Sequence, residues 1–263
     1  MWASEGGASG IGLAIVRDFA EQPNTTVCIV DVNSEAGCSV TGQLSDEFRQ
    51  TSFVFKKCNV ASWEEQATVF KQLWNEQGNI DVVILIATSK TDPAQPNLDV
   101  IDVNVYGVIY SIRLAIHYMG RNALTETPSK TTSRGTIVCM ASVSGLFPFS
   151  ASPLYSPSKH CVVGLVRSLA RGLSAEHFRI QINAIAPGSV ATNFSLDQEG
   201  YSQVVVTPMD TVIKAVRMLV NDPTHTGQTV ALHRQNIDIV DPPRYLYEET
   251  GSSMEFYWSL KCS

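Results

Sequence analysis

The sequence predicts an α/β fold, a single doubly wound parallel sheet with helices on both faces. Short apolar runs typical of buried strands alternate along the chain with longer segments whose apolar residues follow a helical period. The connections between these runs are short, as they are when each helix crosses over between parallel strands. With 263 residues, 44% of them hydrophobic, the chain can bury one large core.

The first strand is the least complete predicted element. Only residues 1–5 precede a glycine-rich turn, so the first strand appears truncated in the sequence. In a doubly wound sheet this strand lies in the middle, and its loss would leave buried backbone groups unpaired at about 1–3 kcal/mol each. The short start predicts a stub strand at residues 2–5, a true start upstream, or a compromised protein. Of these we favour a wrongly assigned start or exon.

The glycine-rich turn from Gly6 to Gly12 opens the first predicted helix, residues 13–21. Glycines at 6, 10 and 12 suit a tight turn, a close backbone approach to a pyrophosphate and close helix packing, with the helix amino end facing the negative charge. The pattern indicates a dinucleotide site. A plain turn without a ligand is the alternative reading.

The second predicted strand, residues 26–31, ends in Asp31, nineteen residues after Gly12. A carboxylate at this place can accept hydrogen bonds from both hydroxyls of an adenosine ribose and repels a 2′-phosphate. No arginine lies beside Asp31, so the sequence favours NAD over NADP as the cofactor. A solvated aspartate at a strand end is the alternative.

The alternation continues through the rest of the chain. The predicted elements are strands at residues 52–55, 81–88, 135–141, 179–186 and 229–232, and helices at residues 63–77, 98–119, 155–175 and 211–220. Residues 1–240 are therefore predicted to form one dinucleotide-binding catalytic domain. Residues 241–263 are an aromatic C-terminal tail, which we expect to pack on the body or on another subunit.

A tyrosine and a lysine one helical turn apart, Tyr155 and Lys159, stand at the start of a predicted helix. An ammonium beside a phenol favours the phenolate and lowers the pKa of the phenol. The spacing alone is weak support, because Tyr257 and Lys261 repeat it in the tail. What separates the two copies is Ser142, which follows a buried strand at the sheet edge where open α/β sheets bind ligands, thirteen residues before Tyr155.

This arrangement resembles the signature of the short-chain dehydrogenase/reductase family, whose members have a Rossmann-type fold. The resemblance implies that Ser142 binds the substrate oxygen and that Tyr155 exchanges the proton. Lys159 would lower the phenol pKa and hold the nicotinamide ribose, and Asn104 would support proton exchange with water. The cofactor-binding residues that the resemblance implies are Gly6, Gly10, Ile11, Gly12, Asp31, Asn59, Val60, Tyr155, Lys159, Pro187, Gly188, Val190 and Thr192.

The chain departs from the family pattern at three places. Family members have a central apolar strand of about five residues, ending in Thr-Gly, before the glycine turn, where this chain has only Met1-Trp2-Ala3-Ser4-Glu5. The family ends its fourth strand in Asn-Asn-Ala-Gly, where this chain has Leu85-Ile86-Ala87-Thr88, and it has Asp-Val where this chain has Asn59-Val60. These departures motivate an alternative function, a non-catalytic or truncated homologue that binds only a nucleotide or a partner. A sugar-nucleotide epimerase or dehydratase is a further alternative, but the chain is too short for its usual C-terminal domain.

The resemblance is strongest to NAD-type, hydroxyprostaglandin-dehydrogenase-like members. It implies an NAD-dependent oxidoreductase that interconverts a secondary alcohol and a ketone. Apolar residues favour a lipophilic substrate, with secondary metabolism of terpenoids or polyketides as a possible setting. These residues are Leu146, Phe147 and Phe149 after the serine and Phe194, Leu196, Tyr201 and 204–206 in a lid. Family members also lead us to expect a homodimer or homotetramer.

Composition excludes several other classes of function. A formal charge of −6 and no basic run argue against partners such as nucleic acid or an anionic membrane. The six cysteines show no zinc-binding spacing, so we expect no metal and reduced core thiols. No membrane span or signal peptide is recognised in the sequence, and we expect a soluble, cytoplasmic protein.

Overall fold

The computed structural model describes residues 1–86, 98–126, 132–150, 152–175, 178–191 and 205–259. Within these ranges an eight-stranded sheet has the order β10-β9-β8-β7-β4-β1-β2-β3. Its strands are β1 (Trp2–Glu5), β2 (Thr26–Asp31), β3 (Ser52–Lys57), β4 (Val82–Leu85), β7 (Gly135–Met140), β8 (Ile180–Pro187), β9 (Thr229–His233) and β10 (Asn236–Val240). All neighbours pair in parallel except β10, which is antiparallel to β9. The predicted doubly wound parallel sheet is confirmed.

Helices cover both faces of this sheet. They are α1 (Gly10–Ala20), α2 (Ser34–Glu47), α3 (Trp63–Gln77), α4 (Asp99–Ile101), α5 (Val108–Met119), α6 (Tyr155–Ser174), α7 (Met209–Asn221) and α8 (Glu248–Ser259). Apolar residues of α3, α5 and α6 form one core cluster against the sheet, while α1 and α7 form a second cluster on the opposite face. This layering leaves the carboxyl ends of the parallel strands open at one edge.

The first strand is short but completely paired. Residues 2–5 pair with β2 on one side and with β4 on the other, so that Glu5 lies between Val30 and Leu85. Because β4 also has four residues, β1 matches it along its whole length. Residues 2–5 therefore do form a short strand, and its four residues leave no gap between β2 and β4 where they pair.

The long helix predicted at residues 98–119 contains an irregular turn. Between α4 and α5, Asp102–Gly107 is π-helical, and Asn104 lies inside this stretch. A π turn inserts an extra residue and is often found at functional sites. The combined helix, Asp99–Met119, is long and apolar enough by composition to cross a membrane. In this fold α5 instead buries six residues, including Ile112 and Met119, within the core.

Two other segments differ from the sequence-based expectation. A small hairpin, β5 (Thr125–Glu126) and β6 (Thr132–Ser133), lies between α5 and β7, where no strand was predicted. Beside it, the buried Asn122 side chain donates hydrogen bonds to the carbonyl oxygens of Ile80 and Arg134. The predicted tail contains a helix, α8, whose Glu255 forms a salt bridge with Arg171 of α6.

Candidate active site

The loop that carries Ser142 is fastened to the first turn of α6. The hydroxyl of Ser156 donates a hydrogen bond of 2.7 Å to the carbonyl oxygen of Ser144. A Cβ at Gly145 would lie 2.6 Å from the carbonyl oxygen of Lys159, so only glycine allows this approach. The serine loop and the tyrosine helix therefore act as one rigid unit.

Within this unit the Ser142 hydroxyl is oriented by its neighbours. Its oxygen accepts a hydrogen bond of 3.1 Å from the backbone N–H of Ser144, which caps the 3₁₀ turn Val143–Gly145. The hydroxyl hydrogen is therefore free to point elsewhere, and the Ser142 side chain lies close enough to the Tyr155 side chain to lower its pKa. A single substrate oxygen could be held by both groups.

Lys159 lies buried below this pair, with only 1% of its surface exposed. Its Nζ is 5.5 Å from the centroid of the Tyr155 ring and donates a hydrogen bond of 3.0 Å to the carbonyl oxygen of Met140. Among the described residues this is the one hydrogen-bond acceptor of the ammonium. Two N–H donors remain for a ligand or water.

The pKa values of the two groups follow from burial. Desolvation raises the pKa of Tyr155, and the Ser142 side chain lowers it in part. Desolvation also lowers the pKa of Lys159 to about 8. The lowering of the phenol pKa by Lys159 stays a prediction, because burial and the Ser142 side chain are the two influences that set the direction of the shift here. Burial is the larger of the two, since the loss of water disfavours the charged phenolate.

Asn104 is fully buried next to the tyrosine helix. Its Nδ2 donates a hydrogen bond of 3.0 Å to the Ser158 hydroxyl, which in turn donates to the Tyr155 carbonyl oxygen. Its Oδ1 is buried and has no hydrogen-bond partner within the described part of the chain. Buried amide oxygens are normally satisfied, so this atom indicates a place for water. Sequence reasoning found Asn104 through the family resemblance and missed Ser158.

The glycine turn has the shape that a pyrophosphate requires. Gly6 and Gly10 have positive φ angles of 70° and 53°, and a Cβ at Gly12 would lie 2.0 Å from the Gly6 carbonyl oxygen. Ile11 lies in the first turn of α1, where Ser9 makes no side-chain capping hydrogen bond. The first backbone N–H groups of α1 are therefore available to an anion.

Asp31 ends β2 beside this turn and organises it. Its carboxylate accepts hydrogen bonds from the backbone N–H groups of Ala8 (3.2 Å) and Asn33 (3.0 Å). The side chain is half-buried, which leaves carboxylate lone pairs for a ribose. The contact with Ala8 gives Asp31 a structural role that the sequence did not indicate.

The remaining predicted cofactor residues surround the same edge. Asn59 is exposed, and its Oδ1 accepts from the backbone N–H of Ala61, while Val60 is buried. Gly188 follows β8 and donates a backbone hydrogen bond to Leu232, and Val190 is buried. Pro187 ends β8 itself. Thr192 and the lid residues at 194–204 lie outside the described residues.

These three features together fit a dinucleotide cofactor. The glycine turn would hold the pyrophosphate, the Asp31 carboxylate would hold the adenosine ribose, and the Lys159 ammonium would hold the second ribose. The other tyrosine at this spacing, Tyr257, is 62% exposed on α8, and Lys261 lies outside the described residues. Within the described part of the chain, a serine loop and a buried lysine lie next to Tyr155.

Comparisons with known proteins point to one family. The family pattern described as short chain dehydrogenase matches residues 5–200. The chain is 30% identical over 241 residues to the short-chain dehydrogenase/reductase prx7 of Penicillium rubens, covering 83% of this chain and 80% of the relative. It is also 30% identical over 190 residues to 15-hydroxyprostaglandin dehydrogenase (NAD(+)) of Homo sapiens, covering 71% and 66%.

A solved structure gives the same fold. A short-chain type dehydrogenase/reductase from Mycobacterium ulcerans superposes with a TM-score of 0.75 at 18% identity, covering 90% of this chain and 91% of that one. The family pattern extends from the end of β1 through the glycine turn and past α6 and β8. The chain therefore belongs to the short-chain dehydrogenase family, whose members are oxidoreductases that act on CH–OH groups.

Proposed function

We propose that this protein is an NAD-dependent oxidoreductase that interconverts a lipophilic secondary alcohol and the corresponding ketone. The observation that carries the proposal is the convergence of Ser142, Tyr155 and Lys159 at the carboxyl edge of the sheet. A hydroxyl, a phenol and a buried ammonium there surround a place where one substrate oxygen can sit. Members of this family that lack such groups would have no means of moving the proton.

In the direction of oxidation, Tyr155 takes the proton of the substrate hydroxyl while Ser142 donates a hydrogen bond to the same oxygen. The nicotinamide would accept the hydride from the carbinol carbon. Lys159 stabilises the negative charge that the phenol carries before it accepts the proton, because a cation favours the phenolate. Asn104, through water at its unpaired Oδ1, links the lysine to solvent for proton exchange.

The preference for NAD rests on Asp31. A carboxylate at the end of β2 accepts hydrogen bonds from both ribose hydroxyls and repels a 2′-phosphate, whose charge is close to −2 at neutral pH. The human relative is named for NAD(+), which supports the same choice.

The proposal of a lipophilic substrate rests on exposed aromatic residues after Ser142. Phe147 and Phe149 are 68% and 49% exposed, although isolated phenylalanines normally bury most of their surface. The human relative is named for 15-hydroxyprostaglandin, and several relatives come from fungi. We extend the proposal to secondary metabolism of terpenoids or polyketides, to a cytoplasmic location and to a homodimer or homotetramer. The division into a domain at 1–240 and a tail at 241–263 is part of the same proposal.

Cofactor titration and a substrate screen test this function together. Quenching of protein fluorescence by NADH and NADPH gives two dissociation constants, and we expect NADH to bind at least tenfold more tightly. Formation of NADH is then followed with a panel of secondary alcohols that differ only in chain length. Rates that rise with chain length support the lipophilic class. Equal binding of both nucleotides, or turnover only of small polar alcohols, would contradict the respective part of the proposal.

A further inference from the structure

A buried carboxyl group lies outside the catalytic constellation, at the end of the central strand. Glu5 is 4% exposed and faces α3 and α5. Both of its carboxyl oxygens are 2.9 Å from the Ser111 hydroxyl. The Ser111 oxygen is also 2.7 Å from the Gln66 Oε1 and 2.8 Å from the Gly107 carbonyl oxygen.

A count of protons shows which form of Glu5 this cluster accepts. Ser111 has one hydroxyl hydrogen, and three acceptor groups surround it: a carboxyl group, an amide oxygen and a backbone carbonyl oxygen. If Glu5 is a carboxylate, it takes that hydrogen, and the Gln66 Oε1 then faces the Ser111 oxygen at 2.7 Å with no proton between them. If Glu5 is a carboxylic acid, it donates to Ser111, and Ser111 donates to Gln66. The acid form gives a proton to both side-chain contacts of Ser111, with Glu5 and with Gln66, while the Gly107 carbonyl oxygen accepts from the Gln66 Nε2 in either form.

Gln66 extends this chain of hydrogen bonds to two segments of the backbone near the site. Its Nε2 donates hydrogen bonds to the carbonyl oxygens of Val60 (2.5 Å) and Gly107 (3.0 Å). Val60 belongs to the cofactor-side loop, and Gly107 ends the π-helical turn that contains Asn104. A Cβ at Gly107 would lie 2.9 Å from the Val60 carbonyl oxygen, so the two segments touch directly.

We propose that Glu5, as a neutral carboxylic acid, is a positioning residue that holds the Asn104 turn against the Val60 loop through Ser111 and Gln66. The proposal rests on the function proposed above, since it concerns the same site. It also explains how the fold tolerates apolar residues at the end of β4, where the family has two bracing amides. The polar bracing comes from the neighbouring strand instead.

The electrostatic surroundings of Glu5 agree with a neutral form. Burial raises its pKa to about 8, and the Ser111 hydrogen bond lowers it in part. The titratable groups that interact with it are the thiols of Cys28, Cys58 and Cys139, and burial raises the pKa of each to about 12, so they stay neutral. Lys159 acts on one of these thiols, because its charge lowers the pKa of Cys139 in part. In the described ranges no salt bridge involves Glu5.

Loss of the Glu5 proton at mildly alkaline pH should therefore free the π-helical turn that contains Asn104 from the Val60 loop. Infrared spectra of the whole chain at pH 6 and pH 9.5 would show the band of a protonated carboxyl group that disappears on titration. This band should be absent from E5Q and present in E249Q, whose exposed glutamate on α8 is a matched control. Loss of the band in E249Q, or its persistence in E5Q, would overturn the assignment to Glu5.

Hydrogen exchange tests the positioning role separately. After correction for intrinsic rates, residues 102–107 should exchange about tenfold faster at pH 9.5 than at pH 6 in the native chain and at equal rates in E5Q, whose amide can donate to Ser111 as the acid does. S111A should exchange fast at both pH values. Protection that is independent of pH in the native chain would overturn the proposal.

Turnover gives a third readout. If the chain is active, S111A should lower kcat without changing KM, and E5Q should retain activity at pH 7 and lose less of it than the native chain above pH 8. If no nucleotide binds and no alcohol is oxidised, the proposed function fails, while the infrared and exchange results still decide on Glu5.

Discussion

The Nζ of Lys159 lies 5.5 Å from the centroid of the Tyr155 ring, within a buried environment. The position costs free energy because an ammonium has lost its water, and the lowered pKa of Lys159 records that cost. An apolar residue would pack as well at this position without losing hydration. The buried cation is therefore best explained by a role in the reaction.

Removal of this lysine should separate activity from stability. K159M should lower kcat/KM by at least about 100-fold, since the phenolate loses its cation. It should also raise Tm by about 3 °C or more, because a desolvated charge disappears. The two changes are measured by steady-state kinetics and by thermal unfolding at pH 7. A variant that loses both activity and stability would show that Lys159 is a structural residue.

The pH dependence of stability should show two opposite contributions. The pKa of Glu5 is raised in the folded state to about 8, so the folded chain binds more protons and its free energy of unfolding falls as pH rises from 4.5 to 8. The pKa of Lys159 is lowered from 10.5 to about 8, so the unfolded chain binds more protons and the free energy of unfolding rises between pH 8 and 10.5. Above pH 9 the raised pKa values of Cys28, Cys58 and Cys139 lower the free energy of unfolding, so urea unfolding is compared between the native chain, E5Q and K159M to separate the two contributions. E5Q should remove the first and keep the second.

The contact between Gly145 and Lys159 should be essential for orienting the serine. G145A places a methyl group against the Lys159 carbonyl oxygen, and the resulting shift of Ser142 should lower kcat by about 100-fold. G164A is the control, because Gly164 lies on α6, as Lys159 does, and no atom lies near its added Cβ. G164A should gain up to about 1 kcal/mol in stability. Equal kinetics of the two variants would contradict the role given to Gly145.

The glycine turn gives a similar matched pair. G12A puts a Cβ 2.0 Å from the Gly6 carbonyl oxygen and should weaken NADH binding by about tenfold or more. G42A, in α2 with open space around it, should bind NADH as the native chain does. Fluorescence titration measures both, and circular dichroism establishes that each variant is folded. Native affinity in a folded G12A would show that the turn does not carry the pyrophosphate.

Cofactor choice should depend on the carboxylate of Asp31. D31A removes the acceptor for the ribose and the repulsion of a 2′-phosphate, so the ratio of NADPH to NADH affinity should rise by about tenfold. Loss of the Ala8 contact should weaken both nucleotides alike, which the ratio cancels. D238N, on the exposed strand β10, is the control. An unchanged ratio in D31A would place the selectivity elsewhere.

Most of the sheet could be predicted because fully buried parallel strands appear as continuous apolar runs. Helix α2 was not predicted, since only Gly37 and Leu44 of its residues are buried and its apolar period is faint. The pairing of β1 could not be judged from four residues, because its partners Val27 and Val82 lie far along the chain. The π turn around Asn104 has no signal in the sequence of this long helix.

The site shows the same division. The spacing of Ser142, Tyr155 and Lys159 identified the residues that the fold brings together. It could not give the direction of the pKa of Tyr155, which depends on burial. Glu5 was noted only as a departure, because its partners Gln66 and Ser111 come from distant helices.

The most direct test of the central claim compares two tyrosines that share the same spacing to a lysine. Oxidation of a long-chain secondary alcohol, followed by NADH absorbance, should fall by at least about 100-fold in Y155F and stay unchanged in Y257F. Both variants should bind NADH as the native chain does. Full activity in a folded, NADH-binding Y155F would contradict the assignment of this site.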